Sequence, residues 1–282
     1  MSPSGHPASD GPVGAGDLDT AQLLNQAAAV LDSVADRFIE GLGAPSAVTK
    51  GSWGDFATEL DLELERIIAA ELGDRTGIGV HGEEFGGPAV DEGVVWIVDP
   101  IDGTFNYSAG LPTTGMLLAL VADGQPVLGL TWLPLTNLRY QAAVGGPVYR
   151  NGEALPPLAP ITLRESMIAY GAFNSRSRGR YPGQWRVNVL GELSSRVSRI
   201  RMFGSTGVDM AYTAGGIVSG AITFGGHPWD NAPGAALVLA AGGVISDVDG
   251  NPWTVNSPSL VAAAPGAHEE LIAILASHER SR

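Results

Sequence analysis

The sequence predicts a mixed fold, with an α+β first half and a layered α/β second half. Two segments with apolar residues at helical spacing, followed by a series of short apolar runs, indicate the α+β part. After a proline-rich stretch at residues 154–160, strand-like and helix-like segments alternate, which is typical of a layered α/β domain. We therefore predict a tail at residues 1–18, an N-terminal subdomain over 19–153 and a C-terminal subdomain over 154–282.

The first part of the chain predicts the tail and two helices. Residues 1–18 are rich in Gly, Pro and Ser and are predicted to be disordered. Asp19 is a plausible capping residue for a first helix, which we expect to end at Gly41. A second helix is predicted over residues 58–72, where Gly73 should stop it.

Strand-like runs dominate the remainder of the first half. They are residues 77–80, 94–98, 116–122, 127–132 and 139–144. The segments ADGQP and Asn151-Gly152 read as hairpin turns. In the second half we predict strands at 167–171, 199–203, 221–224 and 244–247, and helices at 184–198, 208–217 and 229–241.

The composition excludes several classes of protein. The net charge is −14, with 16 basic residues against 30 acidic ones, which does not fit a nucleic-acid-binding protein. The absence of cysteine excludes disulfides and thiolate metal sites. The N-terminus lacks the features of a signal peptide, and no apolar run is long enough to span a membrane. We therefore expect a cytoplasmic protein that binds neither nucleic acid nor a membrane.

The segment WIVDPIDGTFN carries the clearest chemical signal. Asp99 follows an apolar run, and Pro100 stiffens the link to Asp102, so that one short turn presents two carboxylates. Gly103 and Thr104 then offer backbone N–H groups. Oxygen ligands of this kind suit Mg²⁺, which usually shares them with a phosphate. The alternative is an Asp-Pro turn with a helix-capping role.

Three further acidic segments have both a structural and a functional interpretation. Glu83 lies in HGEEFGG, which alone reads as an acidic surface turn. Asp230 lies in the first turn of an apolar helix, where it could act as a cap, and His227 reads as a polar loop residue. Asp61 lies at the start of the second helix, where capping again needs no further function.

Together these segments resemble the inositol monophosphatase family of magnesium-dependent, lithium-sensitive sugar phosphatases. The two signature motifs of the family are present as WIVDPIDGTFN and WDNAPGAALVLAAGG, and the order GEE, DPIDGT, GSTGVD, WD is also that of the family. The resemblance covers about residues 20–275. Details such as HGEEFGGP and YRNG look most like the actinobacterial members.

The resemblance implies a layered αβαβα sugar-phosphatase fold with two subdomains, a homodimer, and two or three bound Mg²⁺ ions. It implies an enzyme that releases phosphate from a small phosphorylated substrate, most plainly inositol 1-phosphate. The metal ligands that it implies are Glu83, Asp99, the main-chain carbonyl of Ile101, Asp102 and Asp230.

The resemblance also implies catalytic and substrate-binding roles. Asp61 and Thr104 match a pair that positions and deprotonates the attacking water, and Glu83 is a further candidate for activating it. The amides of Gly103 and Thr104 match groups that hold the phosphate. Near a predicted helix start, Ser205, Thr206 and Asp209 offer groups that could bind substrate hydroxyls.

The chain departs from the family pattern at several positions. Phe105 and Pro233 stand where Thr and Ala are common. Thr223 stands seven residues before Asp230, where inositol-selective relatives have an acid that holds sugar hydroxyls. This position leaves open other substrates, namely histidinol phosphate, fructose 1,6-bisphosphate and 3′-phosphoadenosine nucleotides, as well as a non-catalytic binding member. Lys50, the only lysine, opens the segment that leads to Asp61, as a lysine often does in the family, and it could steer an anionic substrate.

Overall fold

The structure is a computed structural model that describes residues 18–43, 48–49, 56–57 and 59–278. All of the predicted tail except Leu18 lies outside the described residues, and so do Lys50 and the predicted helix start at Thr58. Within the described part of the chain, no helix is long and apolar enough to cross a membrane.

The described residues form seven α-helices and fourteen strands. The helices are α1 (Thr20–Glu40), α2 (Glu59–Thr76), α3 (Thr104–Ser108), α4 (Gly183–Arg196), α5 (Thr206–Ala214), α6 (Pro228–Ala240) and α7 (Ala267–Ser277). The strands of the first half are β1 (Val48–Thr49), β2 (Phe56–Ala57), β3 (Val80–Gly82), β4 (Val94–Asp102), β5 (Gly115–Ala122), β6 (Gln125–Leu133), β7 (Leu138–Ala143), β8 (Tyr149–Arg150) and β9 (Glu153–Ala154). Those of the second half are β10 (Met167–Tyr170), β11 (Arg199–Arg201), β12 (Gly220–Thr223), β13 (Val244–Ser246) and β14 (Leu260–Ala263).

Two sheets organise these elements. A seven-stranded sheet has the order β3-β4-β5-β6-β7-β8-β9, and all of its pairs are antiparallel except β3 with β4. A five-stranded sheet has the order β11-β10-β12-β14-β13, in which β10 runs parallel to both of its neighbours. The pair β1-β2 is separate. Both hairpin turns are confirmed, because β5 and β6 are joined at Asp123-Gly124 and β8 and β9 at Asn151-Gly152, all with positive φ.

Hydrophobic clusters stack the elements in five layers. One cluster joins α1 and α2 to one face of the seven-stranded sheet. A second joins the other face of that sheet to α5, α6 and the five-stranded sheet. A third joins the remaining face of the five-stranded sheet to α4 and α7. The predicted layered αβαβα fold is therefore confirmed, whereas the division into independent subdomains at residue 154 stays a prediction.

The predicted stop of the second helix at Gly73 is wrong. Helix α2 continues to Thr76, and Gly77, with φ +69°, is the glycine that ends it. The amide of Gly77 donates to the carbonyl of Gly73 at 2.9 Å, which closes the last turn. A glycine inside a helix costs about 1 kcal/mol relative to alanine, whereas only the second of the two adopts the left-handed conformation that terminates a helix.

The predicted end of the strand at residue 98 is also wrong. Strand β4 continues through Asp99 and resumes pairing at Asp102, so both acids belong to the sheet and not to a free turn. The helices α3 and α7 and the strand β14 were not predicted. Strand β14 pairs between β12 and β13, and it joins the edge strand β13 to the rest of the five-stranded sheet.

Candidate active site

Except for Asp61, the acidic residues that the sequence singles out line a single cleft of about 550 Å³. The cleft lies where the end of β4 meets the first turns of α5 and α6, and its other wall follows the ends of β10 and β12. Five carboxylates line it, those of Glu83, Asp99, Asp102, Asp209 and Asp230. The segments of Glu83, Asp99, Asp102, Asp209 and Asp230 therefore meet in one place, whereas the roles predicted for these residues stay predictions.

A bulge in β4 brings Asp99 and Asp102 to the same side. Asp99 pairs with Leu117 and Asp102 with Gly115, so three steps along β4 match only two along β5. Residues three apart in a regular strand point to opposite faces of the sheet. The extra residue of the bulge removes this alternation, and carboxylate oxygens of Asp99, Asp102 and Asp230 lie within 4.8 Å of one another.

Asp102 is held by the start of helix α5. Its carboxylate accepts hydrogen bonds from the amides of Thr206 at 3.2 Å and Gly207 at 2.8 Å, and from the hydroxyl of Ser205. Burial raises the pKa of Asp102 to about 6, although these three hydrogen bonds lower it and so oppose the shift. The side chain is therefore fixed in place before any ligand binds.

The negative charges of the carboxylates in this cluster repel one another. Asp99 is buried, and its pKa is raised well above the usual value, first by burial and then by the negative charges of Glu83, Asp102, Asp230 and Asp61. Asp230 lies in the first turn of α6, and His227, not Asp230, occupies the N-cap position of that helix. Close carboxylates of this kind are stabilised when a cation binds between them.

Glu83 follows β3, and a second glutamate holds the loop around it. The amide of Glu83 donates to the carbonyl of Val98 in β4 at 3.2 Å. The buried carboxylate of Glu65 accepts from the next two amides, those of Glu84 at 2.8 Å and Phe85 at 2.9 Å. A Cβ on Gly82 would lie 1.8 Å from Glu65 Oε1, so only glycine fits there. The sequence analysis missed Glu65, because a glutamate inside a helix usually faces solvent.

Thr104 and Asp61 lie near the cluster. The hydroxyl of Thr104 donates to the carbonyl of Ile101 at 3.0 Å. Gly103, with φ +79°, precedes helix α3, and it lines the cleft together with Thr104. Asp61 is buried in the first turn of α2, close enough for its charge to raise the pKa of Asp99. The pairing of Asp61 with Thr104 stays a prediction.

The predicted substrate-binding residues of α5 also lie in the cleft. Ser205 is the N-cap of α5, and its hydroxyl accepts from the amide of Val208 at 3.1 Å besides donating to Asp102. Thr206 and Asp209 line the cleft. Burial raises the pKa of Asp209 well above its usual value, and the charge of Asp102 adds to the shift. Substrate contacts of these residues stay predictions.

The donor set fits Mg²⁺. Carboxylate oxygens are the ligands that this ion prefers, and the three that converge here belong to two buried side chains and one half-buried one. Thiolate ligands are excluded because the chain has no cysteine. Among the residues that the structure describes, one arginine, Arg186, also lines the cleft. The sequence analysis missed it, because α4 carries no motif.

Comparisons with known proteins agree with this geometry. The family model described as "Inositol monophosphatase family" matches residues 19–280. The chain is 55% identical to "Inositol-1-monophosphatase ImpA" of Mycolicibacterium smegmatis, over 93% of this chain and 96% of that protein. It is 52% identical to "Probable inositol 1-monophosphatase ImpA" of Mycobacterium tuberculosis, over 91% of this chain and 95% of that protein.

Solved structures show the same fold. An IMPase of Thermotoga maritima superposes with a TM-score of 0.81 at 27% sequence identity, covering 90% of this chain and 96% of that one. An extragenic suppressor protein SuhB of Bartonella henselae superposes with a TM-score of 0.80 at 25% identity, covering 90% and 98%.

Proposed function

Because the chain belongs to the inositol monophosphatase family, we propose that it hydrolyses inositol 1-phosphate in a Mg²⁺-dependent reaction. The observation that carries the proposal is the convergence of Asp99, Asp102 and Asp230 in one cleft, with carboxylate oxygens within 4.8 Å of one another. The substrate follows from the names of the two mycobacterial relatives, which are 55% and 52% identical to this chain.

The residues that would hold two or three Mg²⁺ ions are Glu83, Asp99, Asp102, Asp230 and the carbonyl of Ile101. Bound Mg²⁺ would supply the positive charge that offsets repulsion between an anionic ester and its nucleophile and that stabilises the leaving oxygen. The chain contributes pre-positioned ligands, because the bulge of β4 and the start of α5 fix Asp102 in place. A fixed site loses little entropy when the substrate binds.

Asp61 and Thr104 are proposed to position the attacking water and to take its proton. Thr104 directs its own hydroxyl proton to the carbonyl of Ile101, which leaves its oxygen free to accept from a water molecule. The carbonyl has a second lone pair for a metal ion. Asp61 is the proposed proton acceptor, and Glu83 is the next candidate.

The remaining site residues are proposed to bind the substrate. The amides of Gly103 and Thr104 would hold the phosphate. Ser205, Thr206 and Asp209 would bind hydroxyls of the alcohol part, and Asp209 Oδ1 is buried with no hydrogen-bond partner among the described residues. An unpaired buried acceptor is costly, which supports a role for Asp209 when the ligand is present.

The other substrates that Thr223 leaves open are less well supported. The two relatives that share about half of this sequence are both named as inositol 1-monophosphatases. Neither name refers to histidinol phosphate, fructose 1,6-bisphosphate or a 3′-phosphoadenosine nucleotide, and the shared fold alone does not favour these substrates. A non-catalytic role is not favoured, because Glu83, Asp99, Asp102 and Asp230 are all present and all line the cleft.

By family resemblance we also propose a cytoplasmic homodimer that lithium inhibits. Light scattering at micromolar concentration tests the dimer. A panel of phosphate monoesters, with released phosphate measured colorimetrically, tests the substrate. We expect inositol 1-phosphate to give the highest kcat/KM among the monophosphates, and a higher value for histidinol phosphate would contradict the proposal.

A further inference from the structure

Positive charge is concentrated in one segment of this acidic chain. Residues 176–201 contain seven arginines and a single acid, Glu192, so the segment carries a net charge of +6, whereas the whole chain carries −14. The segment covers most of the loop that follows β10, helix α4 and the edge strand β11. Six of its seven arginines are exposed. The charge of this surface therefore has the opposite sign to that of the protein as a whole.

The loop between β10 and α4 lies at the rim of the acidic cleft. Near its start, Ala172 lines the cleft. Near its end, the carbonyl of Tyr181 accepts a hydrogen bond at 2.9 Å from Nε of Arg186, a residue that also lines the cleft. Both ends of the loop are therefore beside the cleft, and Arg176 and Arg178 lie on the loop between them.

Hydrogen bonds fix the shape of this loop. The amide of Arg176 donates to Oδ1 of Asn174 at 2.8 Å, and the amide of Ser177 donates to the carbonyl of Asn174 at 2.9 Å. The amide of Gly183, the first residue of α4, donates to the carbonyl of Ser177 at 2.9 Å. A Cβ on Gly183 would lie 2.2 Å from the carbonyl oxygen of Asn174, so the loop packs closely on the start of α4. The arginines of the loop are therefore carried on an ordered turn.

Two of the loop arginines keep their charge unpaired. Among the residues that the structure describes, no ion pair includes Arg176 or Arg178, whereas Arg180 lies 3.9 Å from Asp249. Neither Arg176 nor Arg178 lines the cleft itself, so any effect on a ligand must act through space. The Debye length is about 30 Å at roughly 10 mM ionic strength and about 8 Å at roughly 0.15 M. Charges at the rim therefore act on an approaching anion, and they do so most strongly at low ionic strength.

An anionic ester that approaches this protein is repelled by most of its surface. The chain carries a net charge of −14, and five carboxylates line the cleft. Cations bound between those carboxylates would attract the ester inside the cleft, but they leave the repulsion along the way to it. A patch of positive charge at the rim of a cleft raises the local concentration of an anion there and its rate of association.

We propose that Arg176 and Arg178 steer the anionic substrate into the cleft by long-range attraction. The inference rests on the proposed function, because it requires a phosphate ester as the substrate. The two arginines do not touch the reacting atoms, so they raise kcat/KM through the encounter and leave kcat unchanged. Charges at the rim of a binding site act in this way on association rates and on their salt dependence.

The test removes the two charges together, in the variant Arg176→Gln/Arg178→Gln. Steady-state kinetics with inositol 1-phosphate are measured at a constant free Mg²⁺ concentration and at increasing NaCl. At about 10 mM ionic strength we expect kcat/KM to fall about 3- to 10-fold, the scale of two charges acting through water on a dianion, with kcat unchanged. At about 0.5 M NaCl the difference from the wild-type enzyme should disappear, because salt screens exposed charges.

The control variant, Arg164→Gln/Arg199→Gln, makes the same change in net charge at the other end of the sheet. Arg164 precedes β10 and Arg199 begins β11, so both exposed side chains lie at the amino ends of these parallel strands, whereas the cleft is at the carboxyl ends. This variant should keep the kcat/KM and the salt dependence of the wild-type enzyme. Arg176→Lys/Arg178→Lys should do so too, because steering needs the charge and not the guanidinium. Melting temperatures by circular dichroism check that every variant is folded.

Three results would overturn the inference. The first is an unchanged kcat/KM at low ionic strength in the Arg176→Gln/Arg178→Gln enzyme. The second is an equal fall in the control variant, because net charge and not the loop would then be responsible. The third is a fall in kcat, or a loss of kcat/KM that persists at high salt, which would mean a direct contact or a structural role. If inositol 1-phosphate is not hydrolysed, the proposed substrate fails, while the same comparison with 4-nitrophenyl phosphate still decides the role of the loop.

Discussion

The backbone N–H of Gly207 donates to Oδ2 of Asp102 across an N–O distance of 2.8 Å. This contact joins the bulged end of β4 to the first turn of α5, and hence the seven-stranded sheet to the helix layer beneath it. A carboxylate at a helix N-terminus is stabilised by the unpaired amides there. The position of one proposed metal ligand is therefore set by the packing of a helix and not by a loop.

Gly207→Ala tests this connection. A Cβ at Gly207 would lie 2.3 Å from Leu117 Cδ2 in β5 and 2.8 Å from Asp102 Oδ2, so either these side chains or α5 must shift. We expect a loss of about 1–3 kcal/mol in the free energy of unfolding, the usual scale of overpacking, together with a higher Mg²⁺ concentration for half-maximal activity. Gly191→Ala on α4 meets no atom within 4 Å and is the control. Unchanged urea midpoints in both variants would show that α5 does not depend on this close approach.

Glu65→Gln tests whether Glu65 positions the loop that carries Glu83. Glu65 now accepts hydrogen bonds from the backbone amides of Glu84 and Phe85, one on each carboxylate oxygen. Glutamine has only one acceptor oxygen, so its side-chain NH₂ group would face one of these two amides. An unsatisfied buried group costs about 1–3 kcal/mol, and we expect weaker Mg²⁺ binding by calorimetry. Glu71→Gln on the same helix removes a surface ion pair with Arg75 and keeps an oxygen that can accept from the Ser33 hydroxyl, so it should cost less than about 1 kcal/mol. Equal effects of the two substitutions on Mg²⁺ affinity would exclude a positioning role.

Asp61→Asn separates catalysis from helix stability. Asparagine is a good residue at a helix N-terminus, so a purely structural Asp61 predicts nearly normal activity. If Asp61 takes the proton of the attacking water, kcat should fall by about 10² or more, with little change in KM because other groups hold the phosphate. Glu59→Gln, an exposed acid in the same first turn, is the control. A stable Asp61→Asn enzyme with normal kcat would leave Glu83 as the candidate.

The acidic cluster predicts an unusual pH dependence of stability without metal. The pKa values of Asp99 and Asp209 are raised well above 3.8, and that of Asp102 to about 6, so these groups hold protons in the folded state that the unfolded chain has released. Their contribution to stability is present below about pH 4 and is lost as the pH rises through 6 and beyond. We expect the melting temperature of chelated protein to fall over this range.

The same cluster predicts that Mg²⁺ stabilises the protein more at pH 7.5 than at pH 5, because metal ligands must be deprotonated. Differential scanning calorimetry with and without Mg²⁺ at the two pH values measures this. A Mg²⁺-induced shift in melting temperature that is equal at both pH values would mean that these carboxylates do not bind the ion.

The sequence revealed the groups that carry chemistry but not all of those that position them. Asp99, Asp102 and Asp230 could be found because each lies within a recognisable motif. The bulge that aligns Asp99 with Asp102 could not be predicted, because it depends on the register of β4 against β5. Glu65 and Arg186 were missed for a related reason: each lies in an ordinary helix, and only the tertiary packing turns its charge inward.

The central claim is that the carboxylate cluster binds Mg²⁺ to hydrolyse inositol 1-phosphate. The most direct measurement is the rate of phosphate release from inositol 1-phosphate by exhaustively chelated protein, titrated with Mg²⁺. We predict no release in chelator and a saturable return of activity as Mg²⁺ is added. Full turnover in the presence of chelator, or no release at any Mg²⁺ concentration, would contradict it.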